Sequence, residues 1–206
     1  MYRTHHPGRP LTNAFLTPSS SILMANFQVP TRDTVSPANQ AIFDQLAKGL
    51  GFVPNLYATL ALHETALGDY LQLQNRSTTL SGKEKEVVNL VVSQVNECAY
   101  CLAAHTAIAK LNGFTDEQVV ALRAGRPIGD ARLDALGRFV RATAANRGKP
   151  GADATDDFLA AGYTQANLVD VVVLIGDKTV TNYLHGVTQV PVDFPAAAPL
   201  RQAVAT

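Results

Sequence analysis

Cysteine and charge are both scarce in this sequence. Only two of the 206 residues are cysteine, Cys98 and Cys101, and both sit in one CAYC motif. A secreted scaffold stapled by disulfides would hold more cysteines and close longer loops with them. A loop of two residues gains little chain-entropy stabilisation from closure. Charged residues make up 17% of the chain, against roughly 25% in an average soluble domain. Neither sign is in excess, since 17 basic and 17 acidic residues give a formal net charge of zero. The basic stripe of a nucleic-acid binder is therefore missing, as is a field that would steer strongly charged substrates. No window approaches the roughly 18 uncharged apolar residues of a membrane span. The greasiest run, LVDVVVLI at 168–175, is short and carries Asp170. No glycine-rich phosphate loop follows a strand, so nucleotide binding has no support.

What is present is a chain of 22.0 kDa with 47% apolar residues, enough for one domain with a sizeable core. Residues 1–30 are expected to be a flexible extension. They lack the continuous apolar stretch of a signal peptide, and Pro7, Pro10 and Pro18 spoil the amphipathic helix of a transit peptide. A start at Met24 would leave a sensible domain.

From there helical signals follow one another. Ser36-Pro37 opens a helix to about Leu50. Asn55 to Gln74 reads as one further helix. Ser81 and Glu84 form a capping box before a helix rich in Val and Leu, apolar on more than one side and so expected to be central. A helix from Cys98 to Leu111 ends at Asn112-Gly113. A second capping box at Thr115 and Gln118 opens a short helix to Ala124. Asp130 to Asn146 is amphipathic, Gly148-Lys149-Pro150-Gly151 is a turn, and Asp156 to Ala161 is a short helix. Thr164 caps a long helix to about Val187. Its β-branched run at 171–173 is kept helical because its charged flanks hold helical spacing and no second strand is available to pair with it. The tail VPVDFPAAAPL reads as irregular. The pieces beginning at Gly113 and Gly162 echo each other, either as a duplicated unit or as two similar helix starts. The expected architecture is all-α, a single domain at 31–206 with seven or eight helices.

The chemistry concentrates in EVVNLVVSQVNECAYCLAAH. Cys98 lies at a helix start, where free amides and the macrodipole favour a thiolate. Cys101 is one turn on and His105 another, all on one stripe. Histidine can take a thiol proton and hold the thiolate, and the two thiols can close a disulfide. Glu86 lies twelve residues before Cys98 among apolar neighbours. Burial is expected to raise its pKa toward neutrality and suit it to proton relay. Glu84 and Glu97 are expected nearer solvent. Zinc is the rival use of this motif: CxxC and His105 supply three ligands, with His63 or His185 as a possible fourth. Asn182 and Tyr183 on the last helix, together with Tyr100 and His63, are candidate pocket residues. Inert buried cysteines are the bland alternative.

This stretch resembles the core of the AhpD-like alkylhydroperoxidases within the carboxymuconolactone decarboxylase superfamily. That signature is a glutamate, eleven intervening residues, CxxC, then histidine after three more, and Glu86, Cys98, Cys101 and His105 match it. The resemblance covers residues 81–125. It implies an AhpD-like helical fold and a homo-oligomer, whether dimer, trimer or hexamer, with which the low surface charge agrees. It implies that Cys101 attacks a hydroperoxide, Cys98 resolves it, and Glu86 and His105 maintain a proton relay. Proximity to the helix start alone would have favoured Cys98 as the thiolate. It further implies an external dithiol reductant, such as a lipoylated protein, with no metal or other cofactor; the CxxC pair by itself reads as redox chemistry inside a reducing cell, which sets the expectation of a cytoplasmic protein. The characterised peroxidase carries a histidine between its cysteines where Tyr100 stands here. The alternatives are a general thiol–disulfide oxidoreductase, a lactone decarboxylase independent of the cysteines, and a non-catalytic redox-sensing oligomer.

Overall fold

The computed structural model describes residues 27–200. Residues 1–26, which hold most of the expected flexible extension, and residues 201–206 lie outside it. Among the described residues a 3₁₀ turn at Arg32–Thr34 precedes nine α-helices and no strand. These are α1 (Pro37–Leu50), α2 (Asn55–Leu60), α3 (Ala66–Gln74), α4 (Gly82–Val95), α5 (Ala99–Leu111), α6 (Asp116–Arg123), α7 (Ala131–Ala145), α8 (Ala152–Ala160) and α9 (Gln165–Thr188).

The count exceeds the expected seven or eight because the single helix read at Asn55–Gln74 is two. A continuous helix would use the carbonyls of Ala61 and His63 for its next turn. Both are taken instead by Nδ2 of Asn39, a buried α1 side chain, at 3.2 Å each. The freed backbone tightens at the end of α2, with Leu62 N donating to Thr59 O and His63 N to Leu60 O. The chain then restarts at Ala66. The other departure is α8, which begins at Ala152, directly after the turn glycine Gly151 (φ 87°), rather than at Asp156.

α4 is the central helix. Val87, Val88, Leu90, Val91 and Val92 are all buried, covering more than one side of the cylinder, and α5, α6, α7 and α9 pack around it. A helix apolar all round has to lie inside the bundle. On its α7 side a stack of Phe139, Phe158 and Tyr163, with centroids 4.6 and 4.4 Å apart, closes the core. The capping boxes at Ser81, Thr115 and Thr164 all form. Gly113 and Gly162 both adopt left-handed backbone before a buried aromatic, Phe114 or Tyr163, and a capping threonine, so the two echoing pieces share a helix-start device. The helices they open differ in length, 8 against 24 residues.

Glu84 is buried rather than near solvent. Its Oε2 accepts from Ser81 N at 2.8 Å and its Oε1 from Arg132 Nε at 3.3 Å, and Arg132 lies over the Tyr163 ring. Glu97 is exposed as expected. Asp170 on α9 accepts from Thr79 N, Thr79 Oγ1 and Arg76 Nη2 at 2.6–2.7 Å, fastening the α3–α4 connection to α9. No helix among the described residues is long and apolar enough to cross a membrane.

Candidate active site

The site forms where α4 hands over to α5. Glu97 takes a left-handed backbone (φ 53°), and Cys98 N then donates to Ser93 O at 2.9 Å. This turns the chain so that Cys98 becomes the N-cap of α5, its Sγ accepting from Cys101 N at 3.3 Å. Both cysteines are free and buried. Only Cys101 lines the adjoining cavity, which has a volume of about 470 Å³. That is the size range of small-molecule sites.

The two thiols are electrostatically unequal. The hydrogen bond from Cys98 lowers the Cys101 pKa. Burial opposes it, while the Lys178 ammonium, Asn182 and Thr181 assist, and the value falls to about 7. Donating that hydrogen bond, together with burial, pushes the Cys98 thiol far up. Cys98 is thus held as S–H, and Cys101 is the sulfur that ionises.

Glu86 on α4 meets His105 on α5, with Oε2 2.9 Å from Nδ1, and its Oε1 accepts from Asn89 Nδ2 at 2.9 Å. Burial works to raise the Glu86 pKa, but His105, Asn89 and Lys178 outweigh it, and the carboxyl lies below its ordinary value. The expected shift toward neutrality is therefore reversed, because hydrogen bonds and positive charge favour the ionised form more than burial disfavours it. Burial and the Lys178 ammonium lower the His105 pKa in spite of Glu86. The pair is a carboxylate accepting Nδ1–H from a neutral imidazole, which leaves Nε2 as the basic nitrogen.

Tyr100 lines the cavity but is pinned. It donates its hydroxyl hydrogen to Asp193 Oδ1, accepts from Leu56 N at 3.3 Å, and packs on His185 and Phe194. It ties the C-terminal tail to α2 and α5. Asn182 is buried beside both sulfurs and bonds to Asn96 Nδ2 and Ser93 Oγ. Of the candidate pocket residues only Tyr100 lines the cavity; Asn182, His63 and Tyr183 do not. His63 is exposed in the α2–α3 turn, accepting from Thr65 N, and Tyr183 is 63% exposed on the outer face of α9. His185 is engaged with Val190 O at 3.2 Å. Neither histidine joins the cysteines, and no group of three or more metal-ligating side chains is gathered among the described residues.

Sequence reasoning passed over Asn89, Asp177, Lys178 and Thr181. The last three share an inward face of α9 with Asn182 and His185, at 177, 178, 181, 182 and 185. Polar residues at that helical spacing in an otherwise apolar helix were the available signal. Four exposed apolar side chains, Leu50, Phe52, Ile108 and Leu111, also line the cavity.

Comparison with known proteins agrees with this architecture. The fold is that of a peroxidase-related protein from Silicibacter sp. TM1040, with TM-score 0.70 and 22% identity over 89% of this chain and 97% of that one. It is also similar to an AhpD-core, peroxidase-related protein from Ralstonia eutropha JMP134 (TM-score 0.71, 18% identity, 82% and 93% of the two chains). A third similar structure is the debrominase Bmp8 bound to 2,3,4-tribromopyrrole (TM-score 0.67, 14% identity, 84% and 93%). Residues 62–137 match the carboxymuconolactone decarboxylase family. The chain thus shares the fold of these proteins and carries the Cys98–Cys101 pair on it. No curated protein sequence matches this chain.

Proposed function

We propose that the protein is a thiol-dependent reductase of organic hydroperoxides. The observation that carries this reading is the division of labour between the sulfurs: Cys101 faces an apolar cavity and ionises near neutrality, while Cys98 lies behind it as a thiol. Cys101 gives its proton to His105, whose Nε2 has no hydrogen-bond partner among the described residues. The thiolate attacks the terminal hydroperoxide oxygen, so an S–O bond forms, the O–O bond breaks and an alkoxide leaves with the electron pair. The alkoxide takes the proton from His105 and departs as an alcohol. Glu86 holds the imidazole tautomer and offsets its transient positive charge. Cys98 then attacks the sulfenic sulfur, forming the disulfide, and the hydroxyl leaves with the Cys98 proton as water.

An external dithiol returns both cysteines to thiols and is itself oxidised. A lipoylated protein suits that step, and a reducing cytoplasm suits the cycle. A homo-oligomer is supported by the outer face of α9, where Val169, Val172, Val180, Tyr183 and Val187 are exposed with no charged residue among them.

The test is steady-state turnover of an organic hydroperoxide with a lipoyl dithiol as reductant. Wild-type activity that disappears in Cys101→Ser supports the reading. Turnover of protein disulfides without peroxide turnover would favour a general thiol–disulfide oxidoreductase. Lactone decarboxylation that survives loss of both cysteines would favour decarboxylase chemistry. A second thiol reading, reductive removal of bromine from a small aromatic, is favoured by the likeness to the debrominase and by the apolar cavity. Bromide release from a brominated pyrrole would support it.

A further inference from the structure

The mechanism above leaves two buried ionisable residues of α9 without a task, Asp177 and Lys178. Lys178 is 3% exposed on α9 and lines the cavity that holds Cys101, Glu86 and His105. No carboxylate among the described residues forms an ion pair with its ammonium. A buried ammonium without an anionic partner is costly, so its surroundings show what it is there to meet.

The titratable and charged groups lining the same cavity are Tyr57 from α2, Tyr70 from α3, Lys85 and Glu86 from α4, Cys101 and His105 from α5, and Asp177 from α9 itself. Burial keeps both tyrosines neutral. Glu86 is engaged on both oxygens, by His105 and Asn89. Asp177 is buried next to Lys178 in sequence but does not pair with it. His105 is neutral until it takes the Cys101 proton, and once charged it is paired with Glu86. Two acidic groups of the cavity are then without an ion-pair partner, Asp177 and Cys101, and of these only the Cys101 sulfur is the reacting atom.

We propose that Lys178 is the cation that holds Cys101 as a thiolate, and that its ammonium hydrogen-bonds the alkoxide oxygen as the O–O bond breaks. The proton that converts alkoxide to alcohol still comes from His105, so Lys178 transfers none in the step. The same ammonium is a favourable influence on Cys101 ionisation and an unfavourable one on His105 protonation, as a charge standing among them should be. Thr181 and Asn182, one helical turn further along α9, complete the polar wall around the sulfur.

This inference rests on the reading of Cys101 as the reacting thiol, and its test separates the two. The rate of Cys101 alkylation by iodoacetamide is measured against pH, without peroxide, in wild type, Lys178→Met and Lys178→Arg, with the alkylated residue identified by mass. Wild type should be half-maximal near pH 7. Lys178→Met should react about tenfold more slowly at pH 6, where the rate follows the thiolate fraction, and Lys178→Arg should stay within about twofold of wild type. Lys178→Gln serves in the same comparison where Lys178→Met does not fold. A folded neutral variant with the wild-type profile overturns the role of Lys178 and leaves the peroxidase reading standing. A wild-type profile half-maximal near the ordinary thiol value overturns both.

Discussion

His105 Nδ1 lies 2.9 Å from Glu86 Oε2, a buried contact that joins α5 to α4 beside the cavity. The carboxylate fixes the imidazole tautomer, so each residue needs the other. Glu86→Gln and His105→Ala are each expected to lower peroxide turnover by about 10²–10³-fold, within the range of positioned acid–base groups. The double variant should lose little more than either single one, because one relay is being broken. Steady-state kcat for the three variants checks this. Additive losses would show that the residues act separately.

Cys98 supplies the main influence that lowers the Cys101 pKa, through the hydrogen bond it donates. Cys98→Ala should therefore move the alkylation profile of Cys101 to higher pH. Wild-type reactivity should rise as pH climbs through about 7 and level off above it, since the thiolate is the form that reacts. The variant should also stop after one oxidation, leaving a sulfenic acid on Cys101 that dimedone traps and mass spectrometry detects.

How much of this was legible in the sequence follows from the range of each interaction. The capping boxes at Ser81 and Thr115 and the cap at Thr164 are devices within one helical turn, and all were readable. The break at 61–65 was not, because the side chain that enforces it, Asn39, acts from 22 and 24 residues away. The register of Glu86, Cys98, Cys101 and His105 was visible, but the charge state of Glu86 was not. It depends on Asn89, His105 and Lys178 arriving from three helices. Asn182 and Tyr183 were read together as cavity residues, yet neighbours on a helix point about 100° apart. Only Asn182 shares the inward face of Thr181 and His185.

Asp170 anchors the α3–α4 connection through Thr79 and Arg76, and those hydrogen bonds hold its carboxyl well below its ordinary value. A carboxylate with a depressed folded pKa contributes stability that is fully present above the unfolded value of 3.8 and is lost as pH falls toward the folded one. Asp170→Asn is expected to cost about 1.5–3 kcal/mol at pH 7, the range for hydrogen bonds to a charged group. The gap should narrow below pH 4. Urea titrations of both proteins at pH 7 and pH 3 measure it, and an unchanged gap would contradict the account.

The uncharged outer face of α9 should be covered in solution by a second copy of the chain. Val180→Glu with Val187→Glu places two charges on that face and none near the cavity. Light scattering should show the wild type as an oligomer and the double variant as a smaller species. A monomeric wild type would remove α9 as an interface.

The most direct test of the central claim is a single turnover. Fully reduced protein is mixed with one equivalent of cumene hydroperoxide, and thiol loss is followed with time before the products are identified by mass. The account predicts rapid loss of both thiols, one equivalent of alcohol and an intramolecular Cys98–Cys101 disulfide, all absent in Cys101→Ser. Thiols that react no faster than those of the unfolded chain, or that oxidise at Cys98 first, would contradict it.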